Sequence, residues 1–230
     1  MYHNHTKYAG KTVEWIDFDS KEMYDGNLKD HYTQLEQGGW INTTIEYKFN
    51  YYGFRDWEFP DQLEFLALGC SHTLGHGLHA DQAWPSQLSQ LIDNKVYNGG
   101  VSGAAMDTVY RIAKELVPRH KPSTVFLLAP NSMRFELANE NDTWDVINVH
   151  ADRDICTDHY FMYGQNSFVN FNRNLHAIKH ICAKNNANLI CLTADHDFRA
   201  DYAARDLMHS GPEVMAELAE RFYNMYQETK

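Results

Sequence analysis

Four apolar runs punctuate the chain, at 65–68, 96–97, 125–128 and 189–193, and small or polar residues follow each of them. Short unbroken runs rich in Val, Ile, Leu and Phe predict strands buried on both faces. Between and after them the spacing changes to i, i+4, i+7. Trp84, Leu88 and Leu91 form one such stripe, with Pro85 at an early helical position where its missing N–H costs little. Ala105, Val109, Ile112 and Leu116 form a second, ending near Pro118. Phe171, Leu175, Ile178 and Cys182 form a third, and Val214, Met215, Leu218, Phe222 and Met225 a fourth. Each reads as the inward face of an amphipathic helix. Strands alternating with such helices predict right-handed βαβ units around a parallel sheet. The fold class is therefore α/β, a three-layer α/β/α sandwich of flavodoxin-like character. Upstream, 43–50 alternates well enough to predict one more strand.

Polar residues at the ends of the predicted strands carry the candidate chemistry. Ser71 follows the run 65–68 within Gly69-Cys70-Ser71-His72-Thr73-Leu74-Gly75, at the carboxyl end of a buried strand where open α/β sheets place their ligands. Small neighbours let the backbone turn and expose its hydroxyl, which makes Ser71 a candidate nucleophile; a serine that only caps the following turn is the plainer reading. A hydroxyl needs an adjacent base, and His209 supplies an imidazole suited to that task. Asp206, three residues earlier, can hold the other ring nitrogen. Gly103 and Asn131 lie in turns after the strands at 96–97 and 125–128. They offer a closely approachable backbone N–H and a side-chain amide, the donors an oxyanion hole requires.

These blocks resemble the SGNH, or GDSL-like, hydrolase family, whose markers Ser, Gly, Asn and His appear in that chain order. Gly69–Gly75 is similar to the first block, Asn98–Gly103 to the second, Pro130-Asn131 to the third and Asp206-x-x-His209 to the last. The resemblance spans roughly residues 50 to 227. It implies the same α/β/α fold and a serine esterase in which Ser71, His209 and Asp206 act together. The oxyanion would be held by Ser71, Gly103 and Asn131. Asn50-Tyr51-Tyr52-Gly53-Phe54-Arg55 is similar to a segment that precedes the nucleophile block in some relatives. Two positions depart from the pattern: Cys70 stands where an Asp is usual, and Pro130 where a Gly is usual.

Composition narrows the setting. A length of 230 residues with 43% hydrophobic content predicts one sizeable domain, 64–230, preceded by an extension, 1–63, packed on it. A net charge of −11 argues against nucleic acid or an anionic membrane as partner. No signal-like leader or membrane-length apolar run is evident, and four scattered cysteines read as reduced thiols, which together predict a cytoplasmic protein. His72, His76 and His79 invite a metal site, but Gly75 and Gly77 interrupt the helix that would align them, so His72 and His76 read instead as polar residues beside the mouth of the active site, and neither metal nor organic cofactor is expected. Residues 136–167 show little periodicity and carry Trp144, Tyr160, Phe161 and Tyr163, aromatics that suit a substrate wall or a lid. His72, Arg134 and Trp144 are the candidate substrate contacts.

The sequence thus predicts hydrolysis of a small-molecule or carbohydrate ester with a short acyl group, through an acyl-enzyme on Ser71. Three alternatives stay open: an O-acyltransferase using the same residues, a non-catalytic binding protein retaining the fold, and a thiol nucleophile at Cys70. The oligomeric state is not legible.

Overall fold

The apolar runs become the sheet and the stripes become its cover. A computed structural model describes residues 7–139, 144–148, 165–194 and 201–230. The extension contributes β1 (Thr12–Val13), α1 (Lys21–Asp30), α2 (Tyr32–Gln37) and β2 (Tyr47–Lys48), with β1 and β2 paired antiparallel. Then come β3 (Phe65–Gly69), α3 (Ser71–Leu74), α4 (Trp84–Ile92), β4 (Val96–Gly100), α5 (Met106–His120) and β5 (Thr124–Ala129). A hairpin of β6 (Arg134–Ala138) and β7 (Trp144–Asn148) leads to α6 (Gln165–Lys184), β8 (Asn188–Thr193) and α7 (Pro212–Gln227).

The central sheet runs β4-β3-β5-β8, all parallel. Side chains alternate across a strand, so this sheet feeds two cores. Phe65, Ala67, Phe126, Leu128, Ile190 and Leu192 face one way, onto Trp84 and Leu88 of α4 and Val214, Met215, Leu218 and Phe222 of α7. Leu66, Leu68, Val125 and Leu127 face the other, onto Val109, Ile112 and Leu116 of α5 and Phe171, Ile178 and Cys182 of α6. The expected three-layer α/β/α architecture is what forms. Its register sets Gly69 level with Gly100 on one side and Leu128 on the other, and Leu128 level with Leu192. The strands therefore deliver the chains that follow them to one edge.

Ile16, Tyr24, Leu35, Trp40, Ile45, Tyr47 and Phe49 of the extension are buried in the same cluster as Phe65, Trp84 and Phe222. Three local expectations are corrected. The strand over 43–50 shrinks to Tyr47–Lys48, because its partner β1 is two residues long, although Ile45, Tyr47 and Phe49 do point inward. Leu91 is 42% exposed, and Ile92 packs inward in its place. Helix α5 continues past Pro118 to His120. Among the described residues no helix is long and apolar enough to cross a membrane.

Candidate active site

The chain leaves β3 through Cys70 and turns at once into α3, whose first residue is Ser71. Gly75 ends that single turn in the left-handed region at φ 79°, and its N–H bonds back to the Ser71 carbonyl. A Cβ built on Gly100 would lie 2.4 Å from the Leu74 nitrogen, so only a glycine at the end of β4 lets α3 lie this close. Ser71 is buried, and its Oγ sits 2.8 Å from His209 Nε2.

His209 comes from the opposite end of the chain. The segment before α7 makes a tight turn with Leu207 at φ 54°, and both oxygens of Asp206 are used within it. Oδ1 accepts the N–H groups of Met208 (3.0 Å) and His209 (3.1 Å), while Oδ2 lies 2.5 Å from His209 Nδ1. With its Nδ1 proton held by the carboxylate, the ring presents Nε2 as an acceptor to the serine hydroxyl. Burial pushes the Asp206 carboxyl up, but the hydrogen bond from His209 and the neighbouring imidazoles outweigh it and hold it at about 2. A carboxyl whose folded value lies below its ordinary 3.8 contributes stability above about pH 4 and loses it as the pH falls toward 2. Equilibrium urea unfolding of wild type and Asp206→Asn should therefore show a stability gap that narrows by about 2 kcal/mol over that window. A gap that stays constant would contradict this coupling.

Around the pair opens a cavity of about 330 Å³. Ser71, His72, Gly103, Asn131, Arg134 and His209 all line it, together with Phe18, Cys70, Ser102, Ala194, Tyr202 and Met208. Gly103 adopts φ 70° with nothing within 4 Å of where a Cβ would stand, so the backbone there is open to a ligand. Asn131 accepts the Met133 N–H with Oδ1 (2.7 Å), leaving its amide nitrogen as the donor it offers the cavity. Cys70 touches the cavity wall while its side chain is buried in the cluster on the α5 and α6 face. Trp144 does not line the cavity. It sits on β7 with the Arg111 guanidinium 5.0 Å from its ring centre, because the hairpin lies over α5. Tyr160, Phe161 and Tyr163 lie outside the described residues.

The three spaced histidines separate. His79 packs near Trp40, whereas His72 meets the His209 ring edge-on at 5.1 Å and His76 stacks on it at 4.8 Å. His76 is buried rather than at the mouth of the site, with Ser102 Oγ 3.3 Å from its Nδ1. Burial, then the nearby His209 and Arg134, push His72 well below the usual imidazole range, so it is neutral near pH 7. His76, Asp206 and His209 carry potential ligand atoms within 4.8 Å of one another. His209 already directs its ring nitrogens at Ser71 and Asp206, so a metal there would compete with the proton path.

Sequence reasoning missed what holds this loop in place. Arg205, beside Asp206, is fully buried and donates to both Asp19 oxygens (3.0 and 2.6 Å) and to the carbonyls of Thr43 and Glu14 (3.1 Å each). Its guanidinium lies 4.1 Å from the Trp15 ring centre. The Tyr47 hydroxyl also donates to Asp19 and accepts the Gly77 N–H. Asn27 and Trp40 donate to the carbonyls of Asp206 and Ala203. On the serine side, the Arg55 guanidinium donates to the carbonyls of Gly75 (2.6 Å), Leu78 (2.8 Å) and Glu46 (3.1 Å). Residues of the extension thus brace the segments that follow Ser71 and precede His209. No periodicity announces such contacts; a lone Arg next to the Asp-x-x-His block was the one available sign.

A serine, a histidine and an aspartate thus stand in hydrogen-bonded series at the carboxyl edge of a parallel sheet, beside a cavity lined by Gly103 and Asn131. No family model matches the chain, and neither does any curated protein. Solved structures to which the chain is similar include TesA (15% identical over 71% of this chain and 74% of the other, TM-score 0.39). Another is the psychrotrophic esterase EstA from Pseudoalteromonas sp. (14%, 74% and 98%, TM-score 0.40). A third is the acetyl xylan esterase Est2A from the rumen bacterium Butyrivibrio proteoclasticus (10%, 74% and 65%, TM-score 0.39).

Proposed function

We propose that the protein hydrolyses carboxylic esters through an acyl-enzyme on Ser71. The observation that carries this reading is the unbroken series Asp206 Oδ2, His209 Nδ1, His209 Nε2, Ser71 Oγ, with the hydroxyl end opening on a cavity. In the proposed mechanism His209 takes the hydroxyl proton as Ser71 Oγ attacks the ester carbonyl, forming a tetrahedral oxyanion. The N–H groups of Ser71 and Gly103 and the amide of Asn131 are the donors assigned to that oxyanion. The intermediate collapses as the C–O bond to the alcohol breaks, and His209 returns its proton to the departing oxygen. Water, deprotonated by the same imidazole, then cleaves the acyl-enzyme and restores the serine. Asp206 fixes the tautomer and stabilises the imidazolium in both halves. A cavity of about 330 Å³ suits a short acyl group such as acetyl, and Ser102, Asn131 and Arg134 on its wall offer polar groups to a carbohydrate alcohol. Labelling with a fluorophosphonate probe, followed by peptide mapping, should place the adduct on Ser71. Modification elsewhere, or none, would overturn the assignment of the nucleophile.

A further inference from the structure

We propose that Arg134 reads a carboxylate on the ester substrate, so that the preferred substrates are anionic esters; this rests on the ester-hydrolase reading above. Among the described residues, the other arginines with tightly held side chains near this end of the molecule are committed. Arg205 is spent on Asp19, Arg111 on Glu136, and Arg55 on backbone carbonyls. The Arg134 side chain has no ion pair or hydrogen bond among the described residues, yet it lines the cavity that holds Ser71 and His209. Among the described residues no aspartate or glutamate lines that cavity. With His72 held neutral, Arg134 is the one permanent cation among the described lining residues, in a chain whose net charge is −11.

The side chain is also mounted on a braced support. Two residues along β6, Glu136 accepts both the Thr108 hydroxyl (2.5 Å) and a two-pronged grip from Arg111 (2.8 and 2.7 Å). This ties the strand bearing Arg134 to α5. A guanidinium presented in this way matches a carboxylate with two parallel N–H donors. Solvent cannot compete for it as fully as at an exposed position, since Arg134 is half-buried. The carboxylate has two possible sources, the acyl chain or the alcohol, and both put the same group beside Arg134.

Two substrate pairs separate these sources. 4-Acetoxybenzoate and its methyl ester carry a free or a masked carboxylate on the leaving group, whereas 4-nitrophenyl hemisuccinate and its methyl ester carry it on the acyl group. Wild type should favour the anion of at least one pair by roughly tenfold in kcat/KM after correction for spontaneous hydrolysis. In Arg134→Gln that ratio should fall toward one, and Arg134→Lys should keep part of it. The pair that responds identifies the side carrying the charge. No preference in either pair, or a preference that survives Arg134→Gln, overturns the proposal. If wild type hydrolyses none of the four, the esterase reading fails by itself. Saturation-transfer NMR with 4-acetoxybenzoate and its methyl ester then decides for Arg134. Selective binding of the anion that disappears in Arg134→Gln supports the proposal, and binding without selectivity, or no binding of the anion, overturns it.

Discussion

Alanine at position 71 should lower kcat/KM for a short-chain aryl acetate by a factor on the order of 10⁵ to 10⁶. The loss is this large because attack, proton transfer and acyl transfer all pass through one oxygen. Removing that oxygen leaves only whatever the polar cavity does for attack by water. His209→Ala should cost a similar factor, since an unassisted hydroxyl is a poor nucleophile near neutral pH, and combining the two changes should cost little more than either alone. The fold should survive in Ser71→Ala, because the deleted group bonds to His209 and supports no secondary structure. A circular dichroism spectrum and melting curve close to wild type check that point. Ester turnover at the wild-type rate in either folded variant would return the chain to the alternative of a binding protein that keeps the architecture.

Asp19→Ala should be the most damaging single change outside the cavity, at about 3–5 kcal/mol of unfolding free energy. It strands the Arg205 guanidinium, fully buried, with carbonyl partners but no counter-charge, and deprives the Tyr47 hydroxyl of its acceptor. Breaking such a pair costs far more than the pair contributes over a well-packed apolar substitute, because one desolvated charge remains. The double variant Asp19→Leu/Arg205→Met should therefore recover much of the lost stability. It should not recover full activity, because Arg205 also fixes the backbone next to Asp206 by bonding to residues 14 and 43. Urea unfolding together with ester turnover separates these effects. Equal stability in wild type and Asp19→Ala would contradict the account of the clamp.

How much of this was legible depends on the range of the forces involved. Local periodicity found β3, β5 and β8 and the stripes of α4 to α7, since burial repeats along each element. It failed at Leu91, where the rotation of a short helix past α7 decides which residue turns inward. The blocks around Ser71, Gly103, Asn131 and His209 could be picked out singly because each needs a turn of particular chemistry after a strand. Their meeting in one cavity follows from the parallel register, which any right-handed βαβ sheet supplies. The Arg205–Asp19 pair spans 186 positions, and nothing local marks either residue as buried. His76 was misplaced at the mouth for a related reason. Its environment is set by Ser102, Tyr47 and His209, which come from three distant parts of the chain.

The contact of α3 with Gly100 bears on where this scaffold can vary. Main chain rests on main chain there, with no interposed rotamers to absorb an added methyl group. An adjustment at that seam would tilt the serine, so the seam is a fixed datum for any redesign. Diversity in the cavity has to come instead from exchanging side chains on its wall, such as Phe18, Arg134, Tyr202 and Met208, which do not enter that seam.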